Sequence, residues 1–168
     1  MKNRLENPPA EIEYARARPE DLRAVVELCM LVEEQHENYW PLRWQRKAGL
    51  REGYLGWLGR RLNEPRMLIQ VARDQGEVVG MILATIEKEV PIYTYSEYAF
   101  VQDMAVRPSH QRRGIAQRLL ADAAAWAKTH GLNQLRLMVA NQNPTATAAF
   151  EKAGFRKTYQ EMVLPVER

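Results

Sequence analysis

The sequence predicts an α/β domain whose sheet is mixed rather than purely parallel. Three observations carry that expectation. Some short segments alternate apolar and polar residues, while longer ones repeat apolar residues every three or four positions. Two of the short segments flank the turn "DQGE", Asp74 to Glu77, and so read as a hairpin. Beyond residue 98 strands and helices alternate, the order that generates crossovers between parallel strands.

Taken in order, "EIEYARA" alternates and reads as a first strand. Pro19 suits a first helical position, with Glu20 and Asp21 in the first turn, where the helix dipole favours acids. Leu22, Val25, Val26, Cys29 and Val32 then share one helical face, which makes Cys29 a core residue rather than a nucleophile. Pro41 breaks "HENYWPLRW", and a second helix runs through the forties and fifties with much of the aromatic surface. "RMLIQVAR" and "EVVGMILATIEK" are the hairpin strands, and "YAFVQDMAV" is another, ended by Arg107 and Pro108. Residues 112–130 form a helix with Ile115, Leu119, Leu120, Ala123, Trp126 and Ala127 inward and Gly131 as its C-terminal cap. "QLRLMVA" is a strand, "PTATAAFEKA" a short helix entered by Pro144, and "FRKTYQEMVLPV" a closing strand.

Composition narrows the function. The 168 residues are 46% hydrophobic and 27% charged, the balance of one globular domain spanning 1–168. The chain has no long apolar run, and its first residues lack the apolar centre of a secretory signal. One cysteine and three scattered histidines leave no metal-ligand spacing. A cytoplasmic protein without a structural metal or membrane contact is expected. The net charge of +3 is mild. Arginines interleave with aromatics over residues 43–61, which raises nucleic acid as a partner, although a solvated helix face explains them better.

The basic loop "RPSHQRRGIA" opens the helix after the strand that ends at Val106. A helix start presents unpaired N–H groups and partial positive charge, so this is an anion site. Gly114 permits close backbone approach and Ala116 keeps the next turn clear, while Arg112 and Arg113 add charge. Some thirty residues later comes "NPTATAAFEKAGF".

With "VQDMAVRP", "QRRGIA" and "NPTATAAFEKAGF" in that order, residues 65–155 resemble the GCN5-related N-acetyltransferase (GNAT) superfamily. The resemblance implies a mixed sheet of six or seven strands, about four helices, and two central parallel strands that splay apart. It implies acetyl-CoA as acyl donor, its pantetheine arm taken up as a surrogate strand along Met104, Ala105 and Val106. The pyrophosphate is then held by Gln111, Arg112, Arg113, Gly114, Ile115, Ala116 and Gln117. Asn143 and Phe150 contact the cofactor arm, and an amine of a small molecule or peptide attacks the thioester directly.

The chain departs from the family where catalysis is concerned. Relatives carry a glutamate where this chain has Gln102, or on the next strand at Met138, and an acidic tyrosine where it has Phe150. A lysine-like amine is neutral in only about one molecule in two thousand at pH 7, so a base is useful. The general base and acid remain unassigned. Asp103 is the nearest acid, pointed by alternation away from Gln102 and Met104; Tyr98, Glu97, Tyr159, Glu33, Glu34, His36 and Glu37 are further candidates. A non-catalytic acyl-CoA-binding module is the alternative. The acceptor is expected near residues 35–60 and 88–98, and the edge of the closing strand offers pairing to a second copy as a homodimer.

Overall fold

The structure, a computed structural model, describes residues 11–166. Strands β1 (Glu13–Arg16), β2 (Met67–Asp74), β3 (Glu77–Lys88), β4 (Glu97–Val106) and β5 (Leu135–Leu137) form one sheet in that spatial order. The first four are antiparallel and β4–β5 is parallel, so the sheet is mixed. The helices are α1 (Leu22–Tyr39), α2 (Pro41–Trp44), α3 (Leu50–Arg61), α4 (Ile115–Thr129) and α5 (Pro144–Lys152). Single 3₁₀ turns lie at Pro19–Asp21 and Pro108–His110.

Each face of the sheet buries its own apolar layer. On one, Val25, Cys29 and Leu58 of α1 and α3 pack on Met67, Ile69, Met81 and Leu83. On the other, Ile115, Leu119, Leu120 and Ala123 of α4 pack on Leu68, Ile82, Ala84 and Val101. Gly80 on β3 sets how near α4 can come. A Cβ there would lie 3.0 Å from Ile115 Cγ2 and 3.4 Å from both Leu119 Cδ1 and Val106 Cγ2. The first turn of α4 is thereby held close against the end of β4. At the far end of α4, Gly131 N–H bonds Lys128 O and Leu132 N–H bonds Ala127 O, the paired closure of a Schellman cap.

The start of α1 is tied to the sheet by charge. Arg73 on β2, only 4% exposed, donates to both carboxylate oxygens of Asp21 at 3.2 and 2.6 Å, and to Glu13 on β1 at 2.9 Å. Arg18 N–H adds a 2.6 Å bond to Asp21.

Three expectations need correction. The sheet has five strands among the described residues rather than six or seven. Residues 155–166 form no strand, and Tyr159, Met162, Leu164 and Val166 are each more than four-fifths exposed. Alternation is a local signal, but a strand exists only through a partner, and three-residue β5 gives this segment little edge to join. The homodimer edge expected there is therefore not formed. Finally, α4 begins at Ile115, because Arg112 (φ +60°) and Gly114 (φ +80°) are left-handed loop residues.

Candidate active site

The site begins with an irregularity in β4. Leu83 faces Asp103 and Ala84 faces Val101, so Gln102 is an extra residue, a β-bulge. Parallel pairing with β5 stops at the same place, after Val101↔Leu137. From Gln102 to Val106 that edge of β4 has no strand partner among the described residues. Arg107 N–H bonds Val79 O on β3, so by alternation the backbone groups of Met104 and Val106 turn to the open edge. Ala105 turns its side chain to the α1–α3 layer. The Val106 carbonyl already accepts a 3.1 Å bond from Gln111 Nε2, which an incoming chain must share or displace.

Beyond the open edge lies the exposed basic loop that opens α4. Helix α4 has no side-chain N-cap, so its first N–H groups, from Ile115, Ala116 and Gln117, face outward from the helix end. Gln111, Arg112, Arg113 and Gly114 are all exposed, and nothing lies within 4 Å of where a Gly114 Cβ would stand. Arg113 is held by Asp74 of the hairpin turn at 3.2 Å, while Arg112 makes no ion pair among the described residues. Asn143 uses its side-chain oxygen to cap α5, accepting from Ala146 N–H at 3.0 Å. Phe150 is half-buried in the α4-side layer, edge-on to Phe155 at 5.8 Å between centroids.

The bulge also changes which side chains meet. Val101 belongs to the α4-side layer, yet Asp103, two residues on, is on the other face. Simple alternation would place Gln102 and Asp103 on opposite sides. Instead Gln102 Nε2 donates to Thr85 Oγ1 at 2.8 Å, with Glu87 Oε1 at 3.4 Å, and Thr85 shares the α1–α3 side with Leu83. Asp103, 8% exposed, accepts from Tyr54 of α3 at 3.1 Å. The same hydroxyl lies 2.8 Å from Glu33 of α1. Burial first, then the Glu33 charge, push the Asp103 carboxyl up to about 7 against the opposing Tyr54 bond. Burial likewise raises the Tyr54 hydroxyl and the Cys29 thiol above their ordinary values, so both stay protonated.

Of the other sequence candidates, Glu97 pairs with Arg66 and Glu37 with Arg46, while Tyr159 lies in the exposed tail. His36 stacks on Trp44 at 5.3 Å, and the Tyr98 ring lies 3.8 Å beneath the Arg136 guanidinium. Met138 is 69% exposed just past β5. Four arginines of the 43–61 stretch, Arg43, Arg46, Arg51 and Arg61, are each paired with a glutamate. Tyr54, Thr85 and Glu87 were not legible as site residues, because only the tertiary crossing of α3 and the bulge brings them to β4. Among the described residues no group of three or more His, Cys, Asp or Glu is disposed to hold a metal, and no helix is long and apolar enough to cross a membrane.

An open strand edge thus leads to an uncapped helix start flanked by two arginines. The chain belongs to the acetyltransferase (GNAT) family, whose model matches residues 20–155. It is an N-acetyltransferase with acetyl-CoA as donor. The chain is 30% identical over 109 residues to aminoglycoside N(6′)-acetyltransferase type 1 of Acinetobacter genomosp. 13, covering 64% of this chain and 75% of that one. It is 27% identical to streptothricin acetyltransferase of Streptomyces lavendulae, over 55% of this chain and 45% of that one. The fold matches aminoglycoside 6′-N-acetyltransferase AAC(6')-Ih from Acinetobacter baumannii with a TM-score of 0.72, at 21% identity, over 94% and 99% of the two chains. It matches AAC(6')-Iy in complex with CoA at 0.75, with 18% identity, over 98% and 100%.

Proposed function

We propose that the chain acetylates a primary amine on a small polycationic molecule, an amino sugar or polyamine, by direct attack of nitrogen on the thioester carbonyl. The observation that carries this reading is the gathering of Glu33, Asp103 and Glu87 on the α1–α3 side of the open edge. Carboxylates there attract an ammonium, while Arg112 at the other end attracts phosphate, so the two substrates are sorted by charge. The names of the aminoglycoside and streptothricin acetyltransferase relatives favour the same acceptor chemistry.

The exposed arginines and the uncapped start of α4 suit the anionic end of CoA. Met104 and Val106 pair with its arm, and Arg112, Arg113, Gly114 and the N–H groups of Ile115, Ala116 and Gln117 take the pyrophosphate. Acetyl-CoA supplies a thioester whose thiol leaves readily near neutral pH. The protein's share is then to align the amine and remove its proton, since proximity can contribute more than a positioned acid. Phe150 supplies no proton. Replacing it with tyrosine is expected to leave CoA affinity unchanged by calorimetry, and a marked loss would show the ring packed on the ligand.

Thiol release from acetyl-CoA against aminoglycosides, polyamines, amino acids and short peptides tests the acceptor class. Turnover confined to amines bearing two or more positive charges is the expected result. Turnover of peptides alone would overturn it.

A further inference from the structure

Tyr54 has one hydroxyl hydrogen and two carboxyl neighbours, Glu33 Oε1 at 2.8 Å and Asp103 Oδ2 at 3.1 Å. It can donate to only one of them. The other either carries a proton and donates to the Tyr54 oxygen, or sets lone pairs against lone pairs in a buried place. Burial makes the second arrangement costly. The three groups therefore hold two protons in a stable arrangement, and one under strain once the medium is alkaline enough.

Among the described residues no arginine or lysine is paired with the cluster; His36, one turn beyond Glu33 on α1, feels the Glu33 charge, but burial holds its imidazole below the ordinary value. Asp103 is faced by Glu33 and the Cys29 thiol from α1, by Tyr54 from α3, and by uncharged Leu83 from β3. The nearest charged group on β3, Glu87, is engaged with Thr85 and Gln102 and is also acidic. Of the three arginines of α3, Arg51 is turned to Glu27 and Arg61 to Glu64, and Arg60 is exposed.

The placement gives this arrangement a use. Asp103 follows the bulge residue directly, where β4 and β5 part, and Glu33 is the half-buried member that reaches towards solvent. We propose that Glu33, Tyr54 and Asp103 act as one proton-holding unit that receives the acceptor as an ammonium and keeps the proton it must shed before attack. This rests on the amine-acetylation reading above.

The step balances simply. One proton leaves the ammonium nitrogen, enters at Glu33 and comes to rest on Asp103, the Tyr54 hydroxyl giving one hydrogen as it takes another. The freed lone pair forms the C–N bond as the C–S electron pair departs with sulfur. A second proton from nitrogen passes to the solvent, and the unit returns its own proton there for the next cycle. Glu33 is the member that meets the acceptor; Tyr54 and Asp103 are positioning residues acting through it. The signature is a titration belonging to the set rather than to one residue.

Two readouts test the proposal. In free protein labelled at the aspartate carboxyl carbons, an NMR titration should find Asp103 changing charge at about 7. Tyr54→Phe removes a bond to the charged form and should move that transition to higher pH. Glu33→Gln removes a like charge and should move it lower. An Asp103 that titrates with ordinary surface aspartates, or ignores both substitutions, overturns the unit whatever reaction the protein catalyses.

With an amine that turns over, the rising limb of kcat/KM against pH should follow the same two opposite shifts. Asp103→Asn should lower kcat at pH 7 by roughly 10²-fold with CoA affinity unchanged. A wild-type profile in Asp103→Asn overturns the catalytic role even if the carboxyl titrates as expected. Absence of turnover with every amine instead removes the acceptor reading, and this role with it.

Discussion

Replacing Gly114 with valine is expected to weaken CoA binding by at least about 2 kcal/mol, a roughly 30-fold rise in Kd, with the fold retained. The cause is conformational rather than a clash within the free protein. Among the described residues beyond its chain neighbours, no atom lies within 4 Å of a Cβ at this position, but φ is +80°, where a β-branched residue is strained. Relief of that strain re-aims the N–H groups that open α4, and the added methyls stand where the phosphates must approach. Gly114→Ala should lie between valine and wild type. Titration calorimetry with CoA reads the affinity and a thermal melt reads the fold. Unchanged affinity in the valine variant would place the pyrophosphate elsewhere.

The largest effect on stability is expected from Asp21→Ala, a loss of about 3 kcal/mol or more. The substitution strips a two-oxygen partner from Arg73, leaving a guanidinium that is 4% exposed with only Glu13, itself half exposed. It also frees the Arg18 N–H and unpins the start of α1 from β2. Urea unfolding with an unchanged m-value would measure it. The pH dependence has a definite sign. Burial alone would raise Asp21, but its bonds to Arg73 and Arg18 outweigh that and hold it below the ordinary aspartate value. The contribution is therefore full above the unfolded value near 3.9, and is lost as pH falls further through the folded one. Wild type and variant should converge in stability below about pH 4, and a constant difference across that range would assign the effect to packing.

Where the sequence was legible, the governing interaction is local. The hairpin at Asp74–Glu77 follows from its turn residues, with Gln75 and Gly76 both at positive φ, and β2 and β3 pair on either side of it. The inward face of α4 and the Gly131 closure are likewise contained within a few turns of one helix. The same locality makes the basic run from Gln111 to Gly114 legible as a helix entry, although the pattern starts the helix at 112 and the structure starts it at Ile115. What escaped depends on partners distant in the chain. Residues 134–140 read as a full strand, but only Leu135–Leu137 find a neighbour, because the bulge in β4 ends the register. Tyr54 and Asp103 are 49 residues apart, and no spacing rule joins them. The tail from Phe155 has the alternation of a strand without the edge that would make it one.

The bulge at Gln102 acts as a phase boundary written into a single strand. Before it, side chains at odd positions such as Val101 serve the α4 layer; after it, Asp103 and Ala105 serve the opposite one. Removing one residue here would do more than shorten β4 by about 3.4 Å. It would leave Asp103 opposite Leu83 and Val101 opposite Ala84, restore unbroken alternation through the junction, and take away the irregularity at which β4 and β5 part. An alignment that slides by one position beyond 102 would assign each downstream side chain to the wrong face of the sheet.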